Sequence, residues 1–256
     1  MYVFGNKQIN ANNANDIVRL AIRNNMINKN NAIRNSVIRH NSQIKNKIIC
    51  VGQPKTGTKT LKKIFEQLGK KGSGAPQCFL RNNSDYTTIN NIPIDTNNFF
   101  NNISYLDKHL EMFDFFHDVP YSFNYELIDK KYPDSKFILT IRDEEDWFKS
   151  LFHYQNLPLP EASPRKIINA IYHHDIITNE HKDEVIELYR KYNNDVITYF
   201  TDTPEKLLII DLCDKNKNEP DIIQKISGFT KLVIPRNFVF PHENHQNCKC
   251  NIDIAL

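Results

Sequence analysis

The sequence predicts an α/β fold of three layers, in which helices cover both faces of a mostly parallel central sheet. Short apolar runs alternate along the chain with longer segments whose apolar residues recur at helical spacing, and this alternation is typical of parallel strands joined by helices. The apolar runs occupy residues 47–52, 112–116, 136–141 and 207–211. With 256 residues, 40% of them hydrophobic and 25% charged, the chain can bury the core of one such domain.

The segment before the first apolar run differs from the rest of the chain. Residues 1–46 are rich in asparagine and basic side chains, and Asp16 is their single acid. Their apolar residues recur at roughly helical spacing, so we expect a helical appendage, followed by a core domain over 47–245 and a tail over 246–256. A solvated helix packed on the core is the ordinary interpretation, and binding of its basic face to a membrane surface or a partner is the alternative.

Composition excludes several classes of protein. The formal net charge of +3 is too small to indicate a nucleic-acid-binding protein. No stretch approaches the ~20 apolar residues of a membrane span, and the first residues lack the apolar run of a secretory signal. The five cysteines are an odd number, and Cys50 and Cys213 adjoin apolar runs, as reduced core thiols do. We therefore expect a cytoplasmic protein.

The first apolar run leads into a loop suited to binding an anion. A Walker A loop has a lysine directly after its second glycine, whereas here Gly52 and Gly57 have the Walker spacing but Thr58 stands at the lysine position. A helical pattern begins at Thr58, so its backbone N–H groups face the loop. The side chains that suit a phosphate or sulfate here are the ammonium of Lys55 and the hydroxyls of Thr56, Thr58 and Thr60.

This loop resembles the 5′-phosphosulfate loop of the sulfotransferase superfamily, whose pattern is P-K-[ST]-G-T-[TX]-x-L. The matching residues are Pro54, Lys55, Thr56, Gly57, Thr58 and Leu61. Arg142 follows the apolar run 136–141, and Ser150 stands eight residues later, which is the spacing at which that family holds the 3′-phosphate of its donor. The resemblance covers roughly residues 47–244 and is to the compact, soluble branch. The alternative for Arg142 is an ordinary surface ion pair with Asp143.

The resemblance implies a P-loop NTPase-like sulfotransferase fold and an enzyme that uses 3′-phosphoadenosine-5′-phosphosulfate without a metal ion. It implies that the donor is bound by Lys55, Thr56, Gly57, Thr58, Lys59, Thr60, Arg142 and Ser150, with Lys59 either reaching the 3′-phosphate or pointing to solvent. The acceptor is then a hydroxyl or amine of a small molecule or glycan, bound by the variable segments 79–109 and 157–181. Thr60 stands where larger cytosolic members have an aromatic residue that stacks on adenine, so the adenine-binding residues are unassigned.

Lys55 is also expected to act in catalysis, by stabilising the negative charge that builds on the leaving phosphate. His117 and Asp118 follow the run 112–116 and are the candidates for the base that takes the acceptor proton. Asp118 resembles the acidic position of the compact branch and is slightly favoured, although an imidazole titrates nearer to neutral pH. The alternative is that one of the two caps the helix predicted from Ser122 and that the other is exposed.

Other interpretations remain open at the level of sequence. Asp211 follows a buried run, and a kinase on the same scaffold could use it to bind a metal, but the displaced lysine counts against this. A module that binds the donor without turning it over is a further alternative. A zinc site is not expected, because the spacing H-x2-H-x2-C-x-C of its only candidates is unusual for zinc. Those candidates are His242, His245, Cys248 and Cys250.

Overall fold

The computed structural model describes residues 14–43, 45–73, 88–89, 92–93, 110–119, 121–157, 168–169, 171–174 and 176–242. The α-helices in these ranges are α1 (Ala14–Gln43), α2 (Thr58–Gln67), α3 (Tyr125–Lys131), α4 (Glu144–Gln155), α5 (Lys182–Tyr199) and α6 (Glu219–Thr230). The strands are β1 (Ile48–Cys50), β2 (Gly72–Ser73), β3 (Thr88–Ile89), β4 (Ile92–Pro93), β5 (Phe115–Phe116), β6 (Lys136–Ile141) and β7 (Leu207–Asp211). Short 3-10 helices span Ser122–Asn124, Asn179–His181 and Pro204–Lys206.

Five of the strands form one parallel sheet in the order β2-β5-β1-β6-β7, which confirms the predicted α/β class. β1 lies at the centre, where Ile49 pairs with Phe116 on one side and with Phe137 on the other. Because the chain passes from β5 on one side of β1 to β6 on the other, the strand order reverses at β1. In open α/β sheets, ligands bind in the crevice at such a point, beyond the carboxyl ends of the strands.

Both faces of the sheet are covered, as the three-layer prediction requires. Ile48 and Cys50 belong to a buried apolar cluster shared with α2 and α6. Ile49 and Val51 point the other way, into a second cluster shared with α3 and α5. Side chains of a strand alternate between faces, so a strand buried on both faces appears in the sequence as an unbroken apolar run.

Three details of the predicted elements differ from the structure. β2 was not predicted, because its two residues, Gly72 and Ser73, carry no apolar pattern, and the two-residue strands β3 and β4 were not predicted either. β5 is shorter than the apolar run 112–116, since residues 110–112 are helical and Met112 is 57% exposed. The apolar residues of 164–178 recur at helical spacing and predict a helix there, but no helix continues past residue 171, because His173 has φ +60°, which a right-handed helix excludes.

The last turns of α1 anchor this helix to the domain. The buried side chain of Asn41 donates to the carbonyl oxygens of Leu68 and Val233, at 2.9 Å each, and accepts from the N–H of Val233 at 2.8 Å. Ile38 packs on the neighbouring Gly69. Although α1 has 30 residues, none of the helices in the described ranges has the length and apolar character needed to cross a membrane.

Candidate active site

The loop between β1 and α2 is held by close packing on β6. A Cβ at Gly52 would lie 1.8 Å from Oγ1 of Thr140 and 2.7 Å from its carbonyl oxygen, so only glycine fits there. The buried hydroxyl of Thr56 donates to the carbonyl oxygen of Gln53 at 2.6 Å and pairs with the Thr140 hydroxyl at 2.6 Å. The hydroxyl of Thr56 therefore bonds within the protein and shapes the loop, whereas the sequence predicted that it would face an anion.

The N-terminus of α2 faces the crevice without a capping side chain. Its N-cap is Gly57, with φ +91°, and its first turn contains no acidic residue. By contrast, the side chain of Asp143 caps α4 and that of Asn218 caps α6. The first N–H groups of a helix have no acceptor within the helix, and they form the positive end of its dipole. This end of α2 is therefore suited to an anionic ligand.

Lys55 brings a positive charge to the same loop. Its backbone is left-handed, with φ +77°, a conformation that costs a non-glycine residue about 1–2 kcal/mol. Its Nζ lies 4.8 Å from the centre of the Tyr154 ring, on α4. Strained backbone of this kind is found most often at functional sites, where the surrounding structure holds it in place.

Arg142 brings a second charge from the carboxyl end of β6. Its guanidinium donates through Nη1 to the carbonyl oxygen of Lys55 at 3.2 Å, so two of the three cationic residues predicted to bind the donor meet at this loop. Asp143 instead caps α4 by accepting from the N–H of Asp146 at 3.0 Å. The half-buried Ser150 lies in the second turn of α4, eight residues after Arg142.

His117 and Asp118 lie beyond the carboxyl end of β5, beside β1. Nδ1 of His117 is 2.9 Å from Oδ2 of Asp118, and the histidine is only 4% exposed. When Nδ1 donates to the carboxylate, Nε2 carries the lone pair. Among the described residues, Nε2 of His117 is buried and has no hydrogen-bond partner. The 3-10 helix Ser122–Asn124 has no side-chain cap, so the alternative of a capping role is wrong for both residues.

The carboxylate of Asp118 connects this pair to the loop. Burial on its own would raise the pKa of Asp118, but the charge and hydrogen bond of His117, the hydroxyl of Thr58 and the charge of Lys59 together lower that pKa below its ordinary value of 3.8. Asp118 is therefore an anion at neutral pH. Thr58 and Lys59 belong to the first turn of α2, so the His117–Asp118 pair and the loop border one crevice. The side chain of Lys59 is exposed.

β7 contributes the residues that follow its carboxyl end. A Cβ at Gly57 would lie 2.9 Å from Cβ of Leu212 and 3.5 Å from the thiol of Cys213, so these residues pack directly on the loop. Burial raises the pKa of the Cys213 thiol, although the charges of Arg142 and Lys55 act in the opposite direction.

Asp211, the last residue of β7, supports the turn that follows it. Its Oδ1 accepts from the N–H groups of Cys213 at 2.7 Å and Asp214 at 2.9 Å. An aspartate that binds Mg²⁺ offers its oxygens to the ion, whereas one oxygen here is engaged by two backbone donors. This arrangement counts against the metal-binding role that the kinase interpretation gave to Asp211.

Two sets of predicted residues lie largely outside the described ranges. Of the zinc candidates, His245, Cys248 and Cys250 are outside, and His242 lies 3.4 Å from the carboxylate of Glu219. Within the part of the chain that the structure describes, no group of three His, Cys, Asp or Glu side chains is placed to hold a metal ion. The acceptor segment 79–109 is described only at 88–89 and 92–93.

Two aromatic residues hold the loop in ways that the sequence did not indicate. Trp147 lies in an apolar cluster with Tyr172 and Tyr189, and its Nε1 donates to the carbonyl oxygen of Pro54 at 3.0 Å. The hydroxyl of Tyr172 donates to the side-chain oxygen of Gln53, and both side chains are buried. Tyr172 lies 119 residues from Gln53, and no sequence pattern connects them.

Comparison with known proteins agrees with this geometry. A family model described as a sulfotransferase domain matches residues 47–248, well over half of the chain. The match begins just before β1 and includes the loop, the His117–Asp118 pair and Arg142. Among curated proteins, none matches the chain.

Proposed function

Because the chain belongs to the sulfotransferase family, we propose that it transfers the sulfuryl group of 3′-phosphoadenosine-5′-phosphosulfate to a hydroxyl or amine of a small molecule or glycan. One observation carries the choice of donor. The uncapped N-terminus of α2, Lys55 and Arg142 converge on one crevice, so two separated anionic groups of one ligand can be bound there.

The two cations have different roles in this proposal. The N–H groups of Gly57 and Thr58, together with Lys55, bind the 5′-phosphosulfate, as the positive end of α2 favours. Arg142 presents a planar guanidinium to the 3′-phosphate, which distinguishes this donor from ATP. Ser150 assists Arg142 by donating its hydroxyl to the same phosphate.

The reaction is an in-line displacement at sulfur. The acceptor oxygen or nitrogen forms a bond to sulfur, and the bond between sulfur and the bridging oxygen breaks. That oxygen keeps the electron pair and leaves as part of adenosine 3′,5′-bisphosphate. Lys55 and the N–H groups of the α2 N-terminus stabilise the negative charge that builds there, and the loss of one such preorganised donor typically costs about 3 kcal/mol of transition-state stabilisation.

The acceptor proton requires a base, and the geometry supports His117 more than Asp118. Asp118 accepts from Nδ1 of His117, and this bond leaves Nε2 of the ring as the basic atom. We therefore assign proton abstraction to His117 and the orientation of its ring to Asp118, which reverses the slight preference for Asp118 stated from the sequence.

A transfer assay tests this function. Purified protein is incubated with donor labelled in its sulfuryl group and with a panel of phenols, alcohols, amines and glycans, and labelled products are separated and counted. The Lys55→Ala variant should lose about 10²–10³-fold in rate. Lys63→Ala is the matched control, because Lys63 lies on the outer side of the same helix and pairs with Glu66 at 3.0 Å.

The assay also separates the alternatives. Equal transfer by wild type and Lys55→Ala would remove the loop from the mechanism. Failure of every acceptor, with tight binding of the donor, would favour the module that binds without turnover.

A further inference from the structure

The main chain of Arg142 is held by a single hydroxyl from a distant helix. Tyr189, on α5, accepts from the N–H of Arg142 at 3.0 Å and donates to the Arg142 carbonyl oxygen at 3.3 Å. Tyr189 is 1% exposed, so water does not replace these bonds. Arg142 follows the last residue of β6 that pairs with β7, and its peptide groups therefore need partners outside the sheet.

The ring of Tyr189 connects the same helix to the phosphosulfate loop. It stacks on Trp147 with the ring centres 4.1 Å apart and an angle of 17° between the planes. Trp147 in turn donates to the carbonyl oxygen of Pro54. The Arg142 guanidinium donates to the next carbonyl oxygen along the loop, that of Lys55. The contacts thus form a closed ring that runs from the loop through Trp147, Tyr189 and Arg142 back to the loop.

We propose that Tyr189 is a positioning residue, which fixes Arg142 at a set distance from the phosphosulfate loop and so determines how strongly the protein prefers a ligand with a 3′-phosphate. The inference rests on the proposed function, because it requires that the loop and Arg142 bind two phosphates of one ligand. When the distance between two anion sites is fixed, a ligand whose two anionic groups have the same separation is favoured. The protein then loses little conformational freedom when that ligand binds.

The proposal predicts that removal of the Tyr189 hydroxyl weakens the preference for the 3′,5′-bisphosphate selectively. Tyr189→Phe removes both bonds to Arg142 but keeps the ring that stacks on Trp147, so the loop retains its attachment. The variant should bind adenosine 5′-phosphate nearly as wild type does. Its preference for adenosine 3′,5′-bisphosphate over adenosine 5′-phosphate should fall about five- to tenfold, as expected for the loss of buried hydrogen bonds that hold a charged ligand-binding residue.

Calorimetric titration with the two nucleotides measures this preference as a ratio of dissociation constants. Tyr199→Phe is the matched control, because Tyr199 is on the same helix and its hydroxyl donates to Asp129, at 3.3 Å, and not to Arg142. Far-UV circular dichroism checks the fold of each variant. Trp147, the only tryptophan of the chain, reports by its fluorescence whether the stacked pair is intact in Tyr189→Phe.

A double-mutant cycle decides whether Tyr189 acts through Arg142. In an Arg142→Ala background the main chain remains but the guanidinium is gone, so Tyr189→Phe should no longer change the ratio. The inference is overturned if Tyr189→Phe leaves the wild-type ratio unchanged, or if it lowers the ratio equally in the Arg142→Ala background. In both cases the preference of the wild type for the bisphosphate still supports the proposed function. A wild type without that preference contradicts the proposed function and the inference together.

Discussion

The two ring nitrogens of His117 have different surroundings, and the proposed chemistry depends on that difference. Nδ1 is paired with the Asp118 carboxylate, while Nε2 is buried and has no partner among the described residues. A buried polar atom without a partner costs free energy, so its presence at the edge of a crevice is typical of a site that a ligand completes.

Variants of the two residues should therefore have unequal effects on rate. His117→Ala removes the base and should lower kcat by about 10²–10⁴-fold. Asp118→Asn keeps a hydrogen-bonding partner for the ring, so it should lower kcat by a smaller factor and leave donor affinity near that of wild type. Steady-state kinetics with the best acceptor found in the panel measures both. His153→Ala, at an exposed position on α4, is the control. A larger loss for Asp118→Asn than for His117→Ala would return the role of base to Asp118.

The sequence predicted which individual residues form the site better than it predicted how their side chains are arranged. Lys55 could be predicted because it belongs to a short loop motif, and Arg142 because of its spacing from Ser150. The arrangement of the His117–Asp118 pair could not be predicted in the same way, because it depends on the left-handed backbone of Asp118, with φ +61°, and on the burial of His117. The hydrogen bond between Tyr189 and Arg142 joins residues 47 positions apart, so no local sequence pattern predicts it.

The loop after β1 and helix α2 together form the structural unit on which nucleotide binding depends. A substitution at Gly57 tests this dependence. At φ +91°, an added Cβ is strained and would lie 2.9 Å from Cβ of Leu212. Gly57→Ala should therefore displace the N-terminus of α2 or the end of β7. We expect the affinity for adenosine 3′,5′-bisphosphate to fall at least about tenfold, equivalent to about 1.4 kcal/mol.

Gly228→Ala is the matched control for that variant. Gly228 lies in α6, and an added Cβ would meet nothing within 4 Å, so the substitution should leave affinity unchanged and stabilise the protein by about 0.5–1 kcal/mol. Titration measures affinity and urea denaturation measures stability. If both variants bound the nucleotide as wild type does, the close packing of the loop on β7 would have no part in binding.

The elements with strong apolar patterns were predicted well, and short ones were not. β6 and β7 have the predicted bounds, and in β6 the unbroken apolar run corresponds to burial on both faces. β2 pairs only Gly72 and Ser73 with β5, and so short a strand forms because of this pairing and not because of its own sequence. Its existence could not be predicted from two small residues.

For the whole molecule, the sheet order explains why residues from distant parts of the chain meet. The carboxyl ends of β1, β5, β6 and β7 all border the N-terminus of α2, because the strand order reverses at β1. The alternation of strands and helices predicted the fold class. It did not predict the strand order or the way in which Asn41 anchors α1, since both follow from contacts between segments far apart in sequence.

We expect this crevice to bind a nucleotide with both a 5′-anion and a 3′-phosphate. Calorimetric titration of the full chain with adenosine 3′,5′-bisphosphate, with ATP and Mg²⁺ in a parallel experiment, tests it most directly. We predict micromolar or tighter binding of the bisphosphate and much weaker binding of ATP. Binding of ATP with Mg²⁺ in preference to the bisphosphate would contradict the claim and favour a kinase, and the absence of binding by either nucleotide would contradict it as well.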